Sequence, residues 1–169
     1  QPDYRDKNAF NVLGEPELCF CVSSGNVDSM VNNYTANKRL RSDDDYSPGG
    51  KGGKRPDRAV TVYCNRIREI YKEKPVIMGG IEASLRRLAH YDYWDDRVRQ
   101  SILADAPADM IVYGMAEKSI LEVVGRLKKG RNICEIRDVR GTAYKTRDIE
   151  DIEDYVELPD FKTVSTDKM

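Results

Sequence analysis

Apolar residues along the chain fall into short continuous runs alternating with stretches of three-and-four spacing. ELCFCV (17–22), PVIM (75–78) and DMIVY (109–113) are runs of strand length, each followed by a glycine-containing turn. Between them the period changes. Val27, Met30, Val31 and Tyr34 recur at helical spacing, as do Ala59, Val60, Tyr63, Cys64, Ile67, Ile70 and Tyr71, with Pro56 near the position helices favour for proline. Ile81, Leu85, Leu88 and Ala89 share one face of a helix over IEASLRRLAH. VRQSILADA predicts a further short helix, and AEKSILEVVGRLKKG one with Ile120, Leu121, Val124 and Leu127 inward and Gly130 closing it.

Continuous apolar strands separated by amphipathic helices predict parallel strands covered on both faces, an α/β layer architecture. The tail has a different pattern. ICEIRDVRGTAYKT and DYVELPDF predict short strands around Gly141, a hairpin or extended arm, with Leu158-Pro159 as a linker. The expected organisation is an α/β domain over 1–130 and an arm with linker over 131–169.

Composition changes this picture in three places. Residues 36–59 hold four of the twelve glycines and two prolines among dense charge, which predicts a long, solvated, mobile loop. Charged residues are 34% of the chain, yet 28 Lys and Arg nearly cancel 29 Asp and Glu, so nucleic-acid or membrane binding requires a local patch. Lys38, Arg39, Arg41, Lys51, Lys54, Arg55 and Arg58 offer one, offset by Asp43, Asp44 and Asp45. The four cysteines, Cys19, Cys21, Cys64 and Cys134, make no CxxC or CxxxCxxC, which points to reduced thiols and no metal centre. No apolar stretch approaches a membrane span and the start is not a signal peptide, so the expected location is cytoplasmic.

In an open parallel sheet, ligands collect at the carboxyl ends of the strands. The candidate positions there are Ser23, Ser24, Gly25 and Asn26, then Gly79 and Gly80, then Gly114 and Glu117, with Ser84 on the helix after the second turn. Glycine allows close backbone approach, and a helix start favours an anion; equally, tight turns simply require glycine and a capping serine. None of the turns is GxGxxG or GxxxxGK[ST]. Glu82, in a first helical turn, suits the helix dipole and an ion pair with Arg86, and would repel a bound anion. His90, Tyr93 and Trp94 lie in HYDYW, where clustered aromatics mark an interface or core edge, and a histidine beside carboxylates is a candidate base with no nucleophile supplied by the sequence.

SSGNVDSMVNNYTANKRLRSDDDYSPGGKGGKRPDRAVTVYCNRIREIY and GGIEASLRRLAHYDYWDDRVRQSILADAPADMIVYGMAE resemble the amino-terminal region of YgiQ-like radical S-adenosylmethionine (SAM) proteins, over about residues 11–160. The resemblance implies a partial flavodoxin-like, cobalamin-binding-like domain, with Ser23-Ser24-Gly25 and Gly79-Gly80 at the places of the serine and glycine loops of cobalamin modules. It also implies that a radical SAM barrel elsewhere in the parent chain carries CxxxCxxC, a 4Fe-4S cluster and SAM, and is this domain's partner. Earlier family elements would precede this chain, leaving ELCFCV at an open sheet edge prone to self-association. The leading expectation is a non-catalytic accessory domain shaping substrate or inter-domain contacts. The rivals are a stand-alone anion- or nucleotide-binding domain and a nucleic-acid accessory module.

Overall fold

The computed structural model describes residues 1–147, 149 and 152–166. In chain order the described elements are β1 (Phe20–Val22), α1 (Ser29–Asn33), α2 (Ala59–Ile70), β2 (Val76–Met78), α3 (Gly80–Leu85), β3 (His90–Asp92), β4 (Arg97–Arg99), α4 (Ile102–Asp105), β5 (Met110–Val112), α5 (Glu117–Lys128), β6 (Thr142–Tyr144) and α6 (Phe161–Thr166). The protein is α/β: a four-stranded sheet of order β1-β2-β5-β6, with β1, β2 and β5 parallel and β6 antiparallel to β5, flanked by helices, plus the separate hairpin β3-β4. β1 has β2 on one side and, among the described residues, no strand on the other.

Two residues per pleat explain how so thin a sheet is covered on both faces. Val76, Met78 and Ile111 point to the side where Val60, Cys64 and Ile67 of α2 and Ile102 and Leu103 of α4 pack. Ile77, Met110 and Val112 point the other way, onto Val123 and Leu127 of α5 and Ile133, Ile136 and Val139 beyond it. Removing each such side chain from water is worth about 1.5–3 kcal/mol, so the two clusters supply most of the gross stabilisation.

Several helical faces are rotated from those expected. In α1 Met30 is buried but Val31 is exposed, and in α5 Val123 and Leu127 face inward while Leu121 is exposed. α3 is shorter than its sequence pattern and inverted: Glu82 and Ala83 are buried, whereas Ile81, Leu85 and Leu88 face outward. Pro56 lies three residues ahead of α2, whose start is set by Arg58 in the left-handed region at φ 50. ICEIR gives a 3-10 turn at Ile133–Glu135 closed by an Asn132–Glu135 capping box, and the strand expected near Gly141 is β6. Over 155–160 the chain has no regular structure and then enters α6.

The glycine-rich loop is anchored, by polar groups. Asp44, Ser47 and Arg55 are buried in it. The Asp44 carboxylate accepts from the Ser47 hydroxyl at 2.7 Å and the Tyr46 N–H at 3.0 Å, and Arg55 donates to the Ser24 carbonyl at 2.7 Å. Gly52 runs so close to the backbone of Ser42 that a Cβ would stand 2.8 Å from its carbonyl oxygen. The loop is therefore docked onto the turn after β1, contrary to a wholly solvated segment.

Candidate functional site at the carboxyl ends of the strands

The three turns converge at one end of the sheet. Ser23, Gly79, Gly80 and Ala116 border a shallow cavity of about 190 Å³ floored by Val22, Met78 and Val112. Gly80, at φ 79, passes Ser23 so closely that a Cβ would lie 3.2 Å from the serine Cβ, so glycine is required by both conformation and space. Ser84 Oγ donates to the Gly80 carbonyl at 2.7 Å and accepts from the Gly114 N–H at 3.3 Å, tying the second turn to the third. Ser24 is buried with its hydroxyl donated to the Val27 carbonyl, whereas Ser23, Gly25 and Asn26 are exposed. Glu117 is exposed in the first turn of α5.

Glu82 has a different place from the one its sequence suggests. It is 0% exposed, and its two carboxylate oxygens accept from the N–H of Ser29 and the N–H of Val60, each at 2.9 Å. Its charge thus satisfies the first turns of both α1 and α2. Arg86 pairs with the buried Asp28 carboxylate and reaches only the backbone carbonyl of Glu82. The i,i+4 surface pair is not formed, because the Glu82 carboxylate points inward.

His90, Tyr93 and Trp94 are not brought to the strand ends. They belong to the β3-β4 hairpin, which packs on the segment after α1: Trp94 lies against Tyr34 with ring centroids 5.2 Å apart, Tyr93 donates to the Ala36 carbonyl at 2.6 Å, and Lys38 sits over the Tyr93 ring. Arg58 holds the hairpin to α2 through Asp92 and Asp95, both at 2.9 Å. Burial pushes the Asp92 carboxyl up, but the Arg58 guanidinium and the N–H groups of Asp95 and Trp94 outweigh it and hold the carboxyl below its ordinary value. His90 Nδ1 lies 3.1 Å from the Leu88 carbonyl, and its buried Nε2 borders a cavity of about 10 Å³ together with Arg58 and Arg86. The same small cavity is lined by Glu82 and Asp92.

The basic loop is also largely engaged within the chain. Lys38 donates to the Trp94 carbonyl, Arg41 to that of Tyr34, Lys54 to that of Pro48, and Arg55 and Arg58 are held as described. Arg55 was hidden in sequence by its charged neighbours; the one available signal was its position directly before Pro56, where the apolar pattern resumes.

The thiols do not assemble a cluster site. Cys19 and Cys21 flank Phe20 at the start of β1; hydrogen bonding from the Cys19 side chain lowers Cys21 to about 7 against the opposing effect of burial, and the same interaction raises Cys19. Cys64 is buried and pushed up to about 12 by desolvation, and Cys134 is exposed beyond α5. Among the described residues no group of three His, Cys, Asp or Glu could hold a metal ion. An iron–sulfur cluster needs three or four converging thiolates, so the residues of this chain do not fit one. No helix among the described residues is long and apolar enough to cross a membrane.

The fold and site together define an α/β domain with a mostly parallel sheet and glycine turns gathered at its strand ends. The chain matches the Radical SAM N-terminal family over residues 1–169 and belongs to that family. It is 76% identical to a UPF0313 protein of Methanocella arvoryzae, 58% to one of Clostridium botulinum strain 657 and 54% to one of Clostridium perfringens strain SM101. Each comparison covers 99% of this chain but only 26–28% of the relative, so the chain spans about a quarter of the length of these relatives. No solved structure matches it.

Proposed function

We propose that this chain is a cytoplasmic accessory domain of a radical SAM enzyme, and that its strand-end face docks against the rest of the parent chain, where the 4Fe-4S cluster and SAM are held. One observation carries the reading: the apolar face of α3 is turned outward. Ile81, Leu85 and Leu88 are exposed, and Met115 is 91% exposed in the turn that Ser84 fastens to α3. Single exposed apolar side chains are ordinary, but Ile81 and Leu85 lie one turn apart on α3 and Met115 stands in the turn fastened to that helix, a grouping of the kind that marks an interface. The occupant is the remaining three-quarters or so of the parent chain, the only partner whose presence next to this domain follows from the lengths of its relatives. In this arrangement the domain supplies surface and substrate contacts while the chemistry belongs to the partner.

The test is reconstitution in two pieces. The 169-residue chain and the remainder of a full-length relative, expressed separately, should associate, and Leu85→Glu with Met115→Glu should abolish association while leaving the fold of the chain intact. Undiminished association of the double variant would remove the basis for placing the interface on this face.

A further inference from the structure

A second and larger cavity, of about 470 Å³, lies beside the first at the carboxyl end of β1, between the Ser23–Asn26 turn and the anchored loop. Its wall is two-sided. Phe10, Tyr63 and Ile67 give it an apolar face, Phe10 and Tyr63 standing with ring centroids 5.8 Å apart. Facing them are Ser24, Gly25 and Arg55, with the Tyr46 ring beside the guanidinium.

Among the described residues Arg55 is the only Lys, Arg, Asp or Glu side chain on that wall, and it is 5% exposed. One terminal nitrogen donates to the Ser24 carbonyl at 2.7 Å, but the buried Nε–H has no hydrogen-bond partner. Asp44 lies 3.8 Å from that nitrogen, too far to accept from it, with its oxygens taken by Ser47 and the Tyr46 N–H. A buried guanidinium donor left unpaired is costly, and an arginine fork matches carboxylate and phosphate oxygens. Gly25, at φ 94, holds a backbone conformation that favours glycine and brings the turn against the Arg55 guanidinium. Volumes of 300–1,000 Å³ are usual for small-molecule sites that combine apolar walls with a few placed polar groups.

We propose that this cavity binds a small molecule with a flat ring and an oxyanion, the ring against Phe10 and Tyr63 and the oxyanion on Arg55. This site adjoins the docking face, sharing Cys21, Val22 and Ser23 with the first cavity, but its binding is measured on the 169-residue chain alone, so its failure and that of the docking reading are distinguishable.

The experiment measures binding of AMP and adenosine, and of indole-3-carboxylate and its amide, to the chain by calorimetry at pH 6, where Cys21 on the same wall is mostly the neutral thiol. At least one anionic probe should bind about tenfold more tightly than its neutral counterpart; AMP as that probe identifies a phosphate site, indole-3-carboxylate a carboxylate site. Arg55→Gln should lose that preference. Because Arg55→Gln can also disturb the loop, Asp44→Asn supplies the independent arm: it retains an oxygen acceptor, removes the competing charge, and should tighten the anionic probe several-fold. Equal affinity for charged and neutral probes, or an anion affinity that Asp44→Asn leaves unchanged or weakens, would overturn the proposal.

Discussion

Replacing Glu82 should damage the fold, although the residue sits beside a candidate ligand-binding turn. Its carboxylate is fully buried and takes two backbone N–H groups, from Ser29 and Val60, at 2.9 Å each. A hydrogen bond to a charged group contributes about 1.5–3 kcal/mol net, and an abandoned buried donor costs about 1–3 kcal/mol. In Glu82→Gln the amide oxygen keeps one acceptor role while its NH₂ opposes the other backbone N–H, which gives a loss of about 2–4 kcal/mol. In Glu82→Ala both donors are left dry and a void is added, for about 3–6 kcal/mol. Domains have only about 5–15 kcal/mol in total, so the alanine variant approaches the unfolding threshold. Urea unfolding followed by circular dichroism measures this directly. With a slope of about 2 kcal/mol per molar, the glutamine variant should unfold about 1–2 M earlier. A glutamine variant within about 0.5 kcal/mol of the parent would refute the capping role.

Three further outcomes follow from the same geometry. Iodoacetamide should alkylate Cys21 with a rate rising through pH about 7, and Cys19→Ala, which removes the side-chain donor, should shift that midpoint upward toward the ordinary thiol value of 9.0; an unmoved midpoint contradicts the Cys19–Cys21 hydrogen bond. Asp92 and Asp44 are held below the ordinary 3.8, so the stability they add is complete above that pH and lost as pH falls through their lower folded values. Urea midpoints at pH 5 and pH 3 should therefore differ less for Asp92→Asn than for the parent, and equal differences would show that Asp92 is not part of the acid response. The unpaired side of β1 should give concentration-dependent association of the chain in sedimentation velocity, and a clean monomer at high concentration would count against it.

The parallel strands were legible because each is an uninterrupted apolar run ending in a turn, a pattern that sheets covered on both faces require. What stayed hidden depends on buried charge. HYD reads as polar, yet Asp92 is buried because Arg58 neutralises it, so the β3-β4 hairpin carries no apolar alternation. The loop over 36–59 reads as solvated because Asp44, Ser47 and Arg55, its anchors, are residue types that normally face water. α3 misled in the opposite sense: its apolar stripe is real but faces outward, while Glu82 takes the inner position to cap two other helices. Periodicity reports which residues share a face and not what that face meets. At the strand ends the glycine turns were correctly placed, whereas the distant packing of Trp94 on Tyr34 and of Tyr93 on Ala36 spans more than fifty residues of sequence and left no local trace.

The central claim, that the strand-end face is covered by the rest of the parent chain, is tested most directly by amide hydrogen exchange on the isolated 169-residue chain and on a full-length relative under identical conditions. Residues 80–88 and 114–118 should exchange markedly more slowly in the full-length protein, while residues 60–70 of α2 stay unchanged. Equal exchange of 80–88 and 114–118 in the two proteins would contradict it.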